Sequence, residues 1–321
     1  MQDILCRYGL EDAVIRPVPP HDGGRNRVFI LTKGNEKFVL RLSETGDRTE
    51  EEYLAETEFV RYLATNGAPV ADVLPSRGGK LVERTADGAF ASVFRYAPGI
   101  LLSENSYRYR ADAPLSEYFY NTGKTLGKLH ALARTYEPRH RRADYFDKYN
   151  IGYIDRLIPD GYAPLKKAIG ERFDAFRALP RDESVYGLVH FDFSDGNYHV
   201  DMETGKITVF DFDNAIYAWY MFDLANLWTH GVGWCRGEHS PVKCRAIMDD
   251  YFAAVLAGYR SETDVSDELL QKLPLFVDMV FIENIVDEFE CCRRAGTEVD
   301  DDDIADAADA LIRHIELPIL D

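Results

Sequence analysis

Over the first hundred residues apolar side chains recur mostly at every second position, whereas most of the remaining chain follows a helical period. The runs RVFIL and KFVLRL are separated by TKGNE, whose Gly34 and Asn35 are turn formers, which predicts two strands joined by a turn. Alternation along the second run puts Lys37, Val39 and Arg41 on one side and Phe38, Leu40 and Leu42 on the other. A helix is predicted from about Glu50 to Asn66, closed by Gly67 with Pro69 just beyond, the expected order of stop signals. Glu56, Val60 and Leu63 share one face of it, so a carboxylate on the apolar stripe requires a buried cationic partner. Residues 77–96 read as a hairpin and an extended run, and Ala97-Pro98-Gly99 breaks the pattern at the joint between two lobes.

Beyond that joint the clearest helices are GKTLGKLHALARTY and CRAIMDDYFAAVLAGYR, and FVDMVFIENIVDEFE also reads as helical, the last of the three in the chain. In the last of these, Glu283 and Asp287 share one face, opposite Phe281, Ile285 and Phe289. In IADAADALIRHIE, Ile304, Ala307, Ala308, Leu311 and Ile312 form the predicted stripe, and the acidic run Asp300 to Asp303 supplies the N-cap and first turn. One β-rich island, residues 186–213, interrupts the helices. The pattern predicts an α+β fold with a β-rich N-lobe, residues 1–96, and a mainly helical C-lobe, residues 97–321.

Hydrophobic residues at 46% and charged residues at 29% are ordinary for a globular chain and exclude a largely disordered one. The charge balance changes the picture more: 37 Lys and Arg against 55 Asp and Glu leave a formal net charge of −18. Such a field repels phosphate backbones and anionic lipid, which argues against nucleic-acid and membrane partners. It either aids solubility or attracts cationic partners. Cys6, Cys235, Cys244, Cys291 and Cys292 form neither a disulfide framework nor a thiolate metal pattern. With no long apolar run and no signal-like start, a cytoplasmic protein is the expectation, with the oligomeric state undetermined.

The island carries the candidate chemistry. It reads His190-x-Asp192-x-x-x-x-Asn197, then YHVDM, the turn ETGK, the run ITVF, and Asp211-Phe212-Asp213. Two short strands and a tight turn would return Asp211 to the side of Asn197. Asn197, Asp211 and Asp213 offer oxygen donors, which suit a hard cation such as Mg²⁺. Asp192 remains a separate carboxylate able to orient an attacking hydroxyl and accept its proton, as phosphoryl transfer requires. The spacing equals that of the kinase catalytic loop, with Asp-Phe-Asp in the place of Asp-Phe-Gly. His130, His199, His230 and His239 show no ligand spacing and read as ordinary surface or core histidines.

HFDFSDGN and FDFDNA, together with GGRNRVF, FVLRL, AETEFVRYLATNGAPV, VFRYAPG, LGKLHAL and WYMFDLANL in that order, resemble the aminoglycoside phosphotransferase and choline kinase superfamily of small-molecule kinases. Phe191 stands where that family usually has glycine. The resemblance implies a bilobal protein-kinase-like fold and transfer of a γ-phosphoryl group from ATP, or GTP, to a hydroxyl of a small acceptor. It assigns Asp192 as catalytic base, Asn197 and Asp211 to Mg²⁺, and Asp213 to support of that site or to a second metal. His190 and Asp223 would brace the catalytic loop. Arg41 with Glu56 would grip the α- and β-phosphates, Lys37 being the alternative cation. Gly24 and Asn26 would belong to a turn over the phosphates, and Phe94, Tyr96 and Ala97 to the hinge against the base. Asp195, Glu283 and Asp287 are the candidate acceptor contacts, and with the acidic balance they favour a cationic amino alcohol or aminosugar. A protein Ser/Thr kinase of the same fold and a non-catalytic nucleotide-binding module remain the alternatives.

Overall fold

The alternating pattern near the start of the chain forms an antiparallel sheet. In the computed structural model, which describes residues 1–19, 26–43 and 48–317, its strands run in the order Val14–Pro17, Asn26–Lys33, Glu36–Ser43, Phe90–Arg95 and Val73–Leu74, with Glu83–Arg84 also paired to Phe90–Arg95. The turn at Gly34 and Asn35 joins two strands in the register Lys33↔Glu36 through Asn26↔Ser43. Phe38, Leu40 and Leu42 point into a core with Leu31, Ala91 and Val93, closed by Ile4 and Leu5 of a short helix, Gln2–Tyr8. Arg41 therefore lies on the opposite side of its strand from that core.

The predicted helix spans Glu50–Thr65. Thr49 caps it by accepting from the Glu52 amide while the Glu52 carboxylate accepts from the Thr49 amide, a reciprocal arrangement that satisfies two otherwise orphaned donors. Tyr53, Phe59, Val60 and Leu63 are buried, and Glu56 is buried among them.

Two compact units result, and neither is a single stretch of chain. The first comprises Met1–Pro114, Thr135–Arg142 and Asp195–Ala215; the second comprises Leu115–Arg134, Ala143–Ser194 and Ile216–Asp321. A sequence boundary at 96 places the hairpin Tyr198–Val200 and Ile207–Val209 with the helices, whereas the contacts place it in the first unit. The physical reason is backbone pairing: Ile100 bridges Val200, and Val70 bridges Val209. Gly99 permits this approach, with φ 94° and only 2.3 Å from the position of an added Cβ to the Val200 carbonyl oxygen.

The second unit is mainly helical, built on Leu115–Ala133, Ala163–Arg177, Tyr220–His230, Pro241–Arg260, Leu273–Ala295 and Asp301–Arg313, with the strand pair Tyr186–Val189 and Ile216–Trp219. Phe281, Ile285 and Phe289 are buried as the helical period requires. The last helix begins as expected, with the Asp300 side chain accepting from the Asp302 amide. Its stripe differs at two positions: Ile304 and Leu311 are buried and Ala307 and Ala308 half-buried, but Ala310 is buried in addition, whereas Ile312, one step around the helix from Leu311, is exposed. No helix among the described residues is long and apolar enough to cross a membrane.

Candidate active site

In the first unit, strand alternation delivers Arg41 to the face met by the Glu50–Thr65 helix. Its Nη1 and Nη2 donate to Oε1 and Oε2 of Glu56, each at 2.7 Å. Both residues are buried, Arg41 at 6% and Glu56 at 0% exposure, so the two-pronged geometry must offset the desolvation of two charges. Burial opposes the charge on Arg41, but Glu56, Asp213 and Asp211 outweigh it and hold the guanidinium above its ordinary value. The same Nη1 lies 3.8 Å from Oδ1 of Asp211.

These groups line a cavity of about 280 Å³ with apolar walls from Val28, Ile30, Val39 and Phe212. Phe94, Tyr96 and Ala97 line it as well. Lys37, the alternative cation, is not in the lining and holds its Nζ over the Tyr96 ring, 5.3 Å from the centroid.

The hairpin works as its sequence predicts. Tyr198 pairs with Val209, and the Phe210 amide donates to the Asn197 carbonyl at 2.9 Å, so Asn197 and Asp211 leave neighbouring strand ends. Asp211 has φ 61°, a left-handed conformation that short polar side chains tolerate, and its carboxylate is 44% exposed at the cavity. Asp213 accepts from Asn26 Nδ2 at 3.1 Å and lies 3.6 Å from Arg48, while Asn26 in turn accepts from the Ser43 hydroxyl at 2.6 Å. Gly24 lies outside the described residues.

Among the described residues no three His, Cys, Asp or Glu side chains are grouped to hold a metal by themselves. The accessible Asp211 carboxylate nevertheless fits Mg²⁺, which is bound through one or two carboxylates and completed by phosphate and water. His199, assigned no role from sequence, also lines the cavity and places Nδ1 2.8 Å from the Ala97 carbonyl. Its place two residues after Asn197, on the same side of a strand, was the available signal.

In the second unit, the fully buried Asp223 carboxylate accepts from the amides of His190 and Phe191, both at 3.0 Å. His130 Nε2 is 3.1 Å from Asp223, and its Nδ1 is 3.0 Å from the Tyr259 hydroxyl. Burial pushes His130 below its ordinary value despite Asp223. A neutral ring then donates to Asp223 and accepts from Tyr259, so His130 is part of the loop's support, a role hidden in LGKLHAL. Phe191 has φ 69°, where glycine is favoured, and its ring stacks on Phe222 with centroids 4.0 Å apart. The stack and the Asp223 bond oppose the backbone cost. Asp192 follows directly, half-buried, its carbonyl accepting from the Ser194 amide.

Glu283 is half-buried on its helix. Burial pushes its carboxyl up to about 8; Lys148 opposes the shift, and the charges of Asp287, Asp192 and Glu290 add to it. Glu290 is engaged by Lys148 at 3.5 Å and by the Tyr153 hydroxyl. Asp287 faces the Cys291 thiol at 3.8 Å. Two neighbours that belong to no motif, Tyr145 and Tyr149, stack their rings at 4.7 Å and are completely buried. Among the described residues their hydroxyls have no hydrogen-bond partner, and burial, reinforced by the charge of Glu283, raises both well above the ordinary phenol value. Asp195 belongs to the first unit and is half-buried.

Comparison with known proteins places these features in context. A sequence model described as the phosphotransferase enzyme family matches residues 17–264. An amicoumacin kinase of Bacillus subtilis (strain 168) is 28% identical over 284 residues, 86% of this chain and 80% of that protein. A solved amicoumacin kinase in complex with AMP-PNP, Ca²⁺ and Ami has a TM-score of 0.81 at 22% identity, covering 96% of this chain and 90% of that one. A microcompartment-associated aminopropanol kinase superposes with a TM-score of 0.72 at 20% identity, covering 98% and 96%.

Proposed function

The chain belongs to the phosphotransferase enzyme family, and on that premise we propose that it transfers the γ-phosphoryl group of ATP to a hydroxyl of a small cationic acceptor, an amino alcohol or an aminosugar. The observation that carries the phosphoryl-transfer reading is Arg41, bound two-pronged to Glu56 and within 3.8 Å of Asp211 on one cavity wall. Arg41, fixed by Glu56, supplies permanent positive charge for the α- and β-phosphates. Phe94, Tyr96 and Ala97 form the wall for the base. Asn197 and Asp211 would hold Mg²⁺, with Asp213, anchored by Asn26, backing the segment. When bound, the metal neutralises charge between the β- and γ-phosphates.

Asp192 orients the acceptor hydroxyl and accepts its proton, while Asp223 fixes the loop from which Asp192 projects. Acceptor recognition is read from the acidic group in the second unit. Glu283 and Asp287, both partly exposed, offer carboxylate oxygens to the N–H donors of an ammonium group. The amino alcohol named for the aminopropanol kinase neighbour points the same way.

The test is ADP release from Mg-ATP over a panel of paired acceptors: 1-amino-2-propanol with 1,2-propanediol, homoserine with 4-hydroxybutyrate, glucosamine with glucose, and amicoumacin. Turnover confined to ammonium-bearing members supports the proposal. Preference for the neutral partners removes the acceptor assignment, and absence of nucleotide binding removes the kinase mechanism.

A further inference from the structure

Arg142 is buried in the first unit, on the short segment Thr135–Arg142, far in sequence from every motif residue of the nucleotide site. Its guanidinium is committed to backbone carbonyls. Nε donates to Ala215 at 2.6 Å, Nη2 to Asp213 at 2.6 Å and Nη1 to Glu52 at 3.2 Å. The first two carbonyls follow Asp211 in the chain, and the third lies one helical turn before Glu56. Burial, aided by the nearby Arg48 charge, pulls this guanidinium down to about 10, against the opposing charges of Glu56, Glu52 and Asp213. A cation buried at such cost without a close carboxylate partner among the described residues needs a compensating purpose, since apolar residues fill such space more favourably.

The geometry supplies one. Arg41 touches both Glu56 and Asp211, so the metal-bearing segment and the phosphate-gripping helix meet there on the cavity side. Arg142 ties the same segment and the same helix together through their backbones. Its planar fork fixes the spacing in a way that a flexible lysine cannot. Arg48, 3.6 Å from the Asp213 carboxylate and donating to Asn214 Oδ1 at 3.3 Å, brackets the segment as well.

We propose that Arg142 is a positioning residue, which sets Asp211 against the Arg41–Glu56 pair and thereby sustains binding of the metal-bound phosphates. The inference rests on the kinase reading above. It predicts a loss specific to the phosphates, whereas a purely structural arginine would affect all ligands together through folding.

The experiment compares wild type, Arg142→Met and Arg142→Lys by calorimetric titration with adenosine and with Mg-AMP-PNP, alongside thermal unfolding and the KM and kcat for Mg-ATP. The expected result is an adenosine Kd within about twofold of wild type and a Mg-AMP-PNP Kd raised by roughly 10- to 100-fold in Arg142→Met, with kcat reduced and Arg142→Lys intermediate. A folded Arg142→Met that keeps the wild-type ratio of the two affinities overturns the proposal. Failure of both variants to fold overturns it too, because the residue is then purely structural. If wild type binds neither ligand, the kinase reading itself falls; if it binds both with an unchanged ratio in the variants, only the role of Arg142 does.

Discussion

Replacing Glu56 tests the first half of the site most sharply. In Glu56→Gln the shape is kept, but one side of a two-pronged ion pair is lost and the Arg41 charge remains in a setting only 7% exposed. Breaking a buried pair by removing one partner costs about 3–5 kcal/mol. Glutamine still accepts one bond, which puts this variant at the lower end, with Glu56→Ala at the upper end. At about 2.1 cal/mol/K per residue, 1 kcal/mol moves the midpoint of a 321-residue chain by about 1.5 °C, so thermal unfolding should shift down by roughly 4–8 °C across the two variants. The ATP KM should rise in parallel, because an unanchored Arg41 no longer presents its fork to the phosphates. The double variant Arg41→Met with Glu56→Leu separates the two effects. Filling the space with apolar side chains should recover most of the stability, while Mg-ATP affinity stays low. A Glu56→Gln protein with wild-type midpoint and wild-type ATP KM, or a double variant with normal nucleotide affinity, would refute the reasoning.

Removing a buried hydroxyl without a partner among the described residues, in Tyr149→Phe or Tyr145→Phe, should leave stability unchanged or raised by up to about 1 kcal/mol; a clear drop in midpoint would show those hydroxyls to be bonded. Glu283 gives a pH signature with a definite sign. Between its ordinary value of 4.5 and about 8, the folded protein holds a proton that the unfolded chain has released, so Glu283 makes stability decline as pH rises across that window. Glu283→Gln should flatten that contribution in pH-dependent unfolding, and an unchanged profile would contradict the assignment. Over the same window kcat/KM for an ammonium acceptor should rise with pH in wild type, as Glu283 ionises, and much less in Glu283→Gln. Asp223→Ala strands two buried amides and His130, and should cost roughly 2–5 kcal/mol in denaturant unfolding; retention of wild-type stability would show the loop to be held elsewhere.

Local patterns in the sequence foretold local structure well. Alternation in KFVLRL separated Arg41 from the core, and helical spacing put Glu56 on a buried face, because both periods are intrinsic to the backbone. The hairpin from Asn197 to Asp211 was likewise legible from its turn. Relations between distant segments were not. Nothing in the periodicity of residues 186–213 tells that the hairpin joins the first unit, since the bridges to Val70 and Ile100 are backbone bonds without side-chain signature. Arg142, Tyr145 and Tyr149 were invisible for a similar reason: their roles depend on carbonyls or cavities assembled from elsewhere in the chain. Ile312 shows the limit within a single helix, where five apolar positions spread wider than the face that is covered.

The central claim is phosphoryl transfer to a small cationic acceptor with Asp192 as the base. Its most direct measurement is mass-spectrometric detection of the phosphorylated acceptor, from Mg-ATP and each member of the paired panel, for wild type and Asp192→Asn. Wild type should form a phosphoester on the ammonium-bearing acceptor, and Asp192→Asn should lose rate by several orders of magnitude with nucleotide binding retained. Wild-type-like product formation by Asp192→Asn would contradict it.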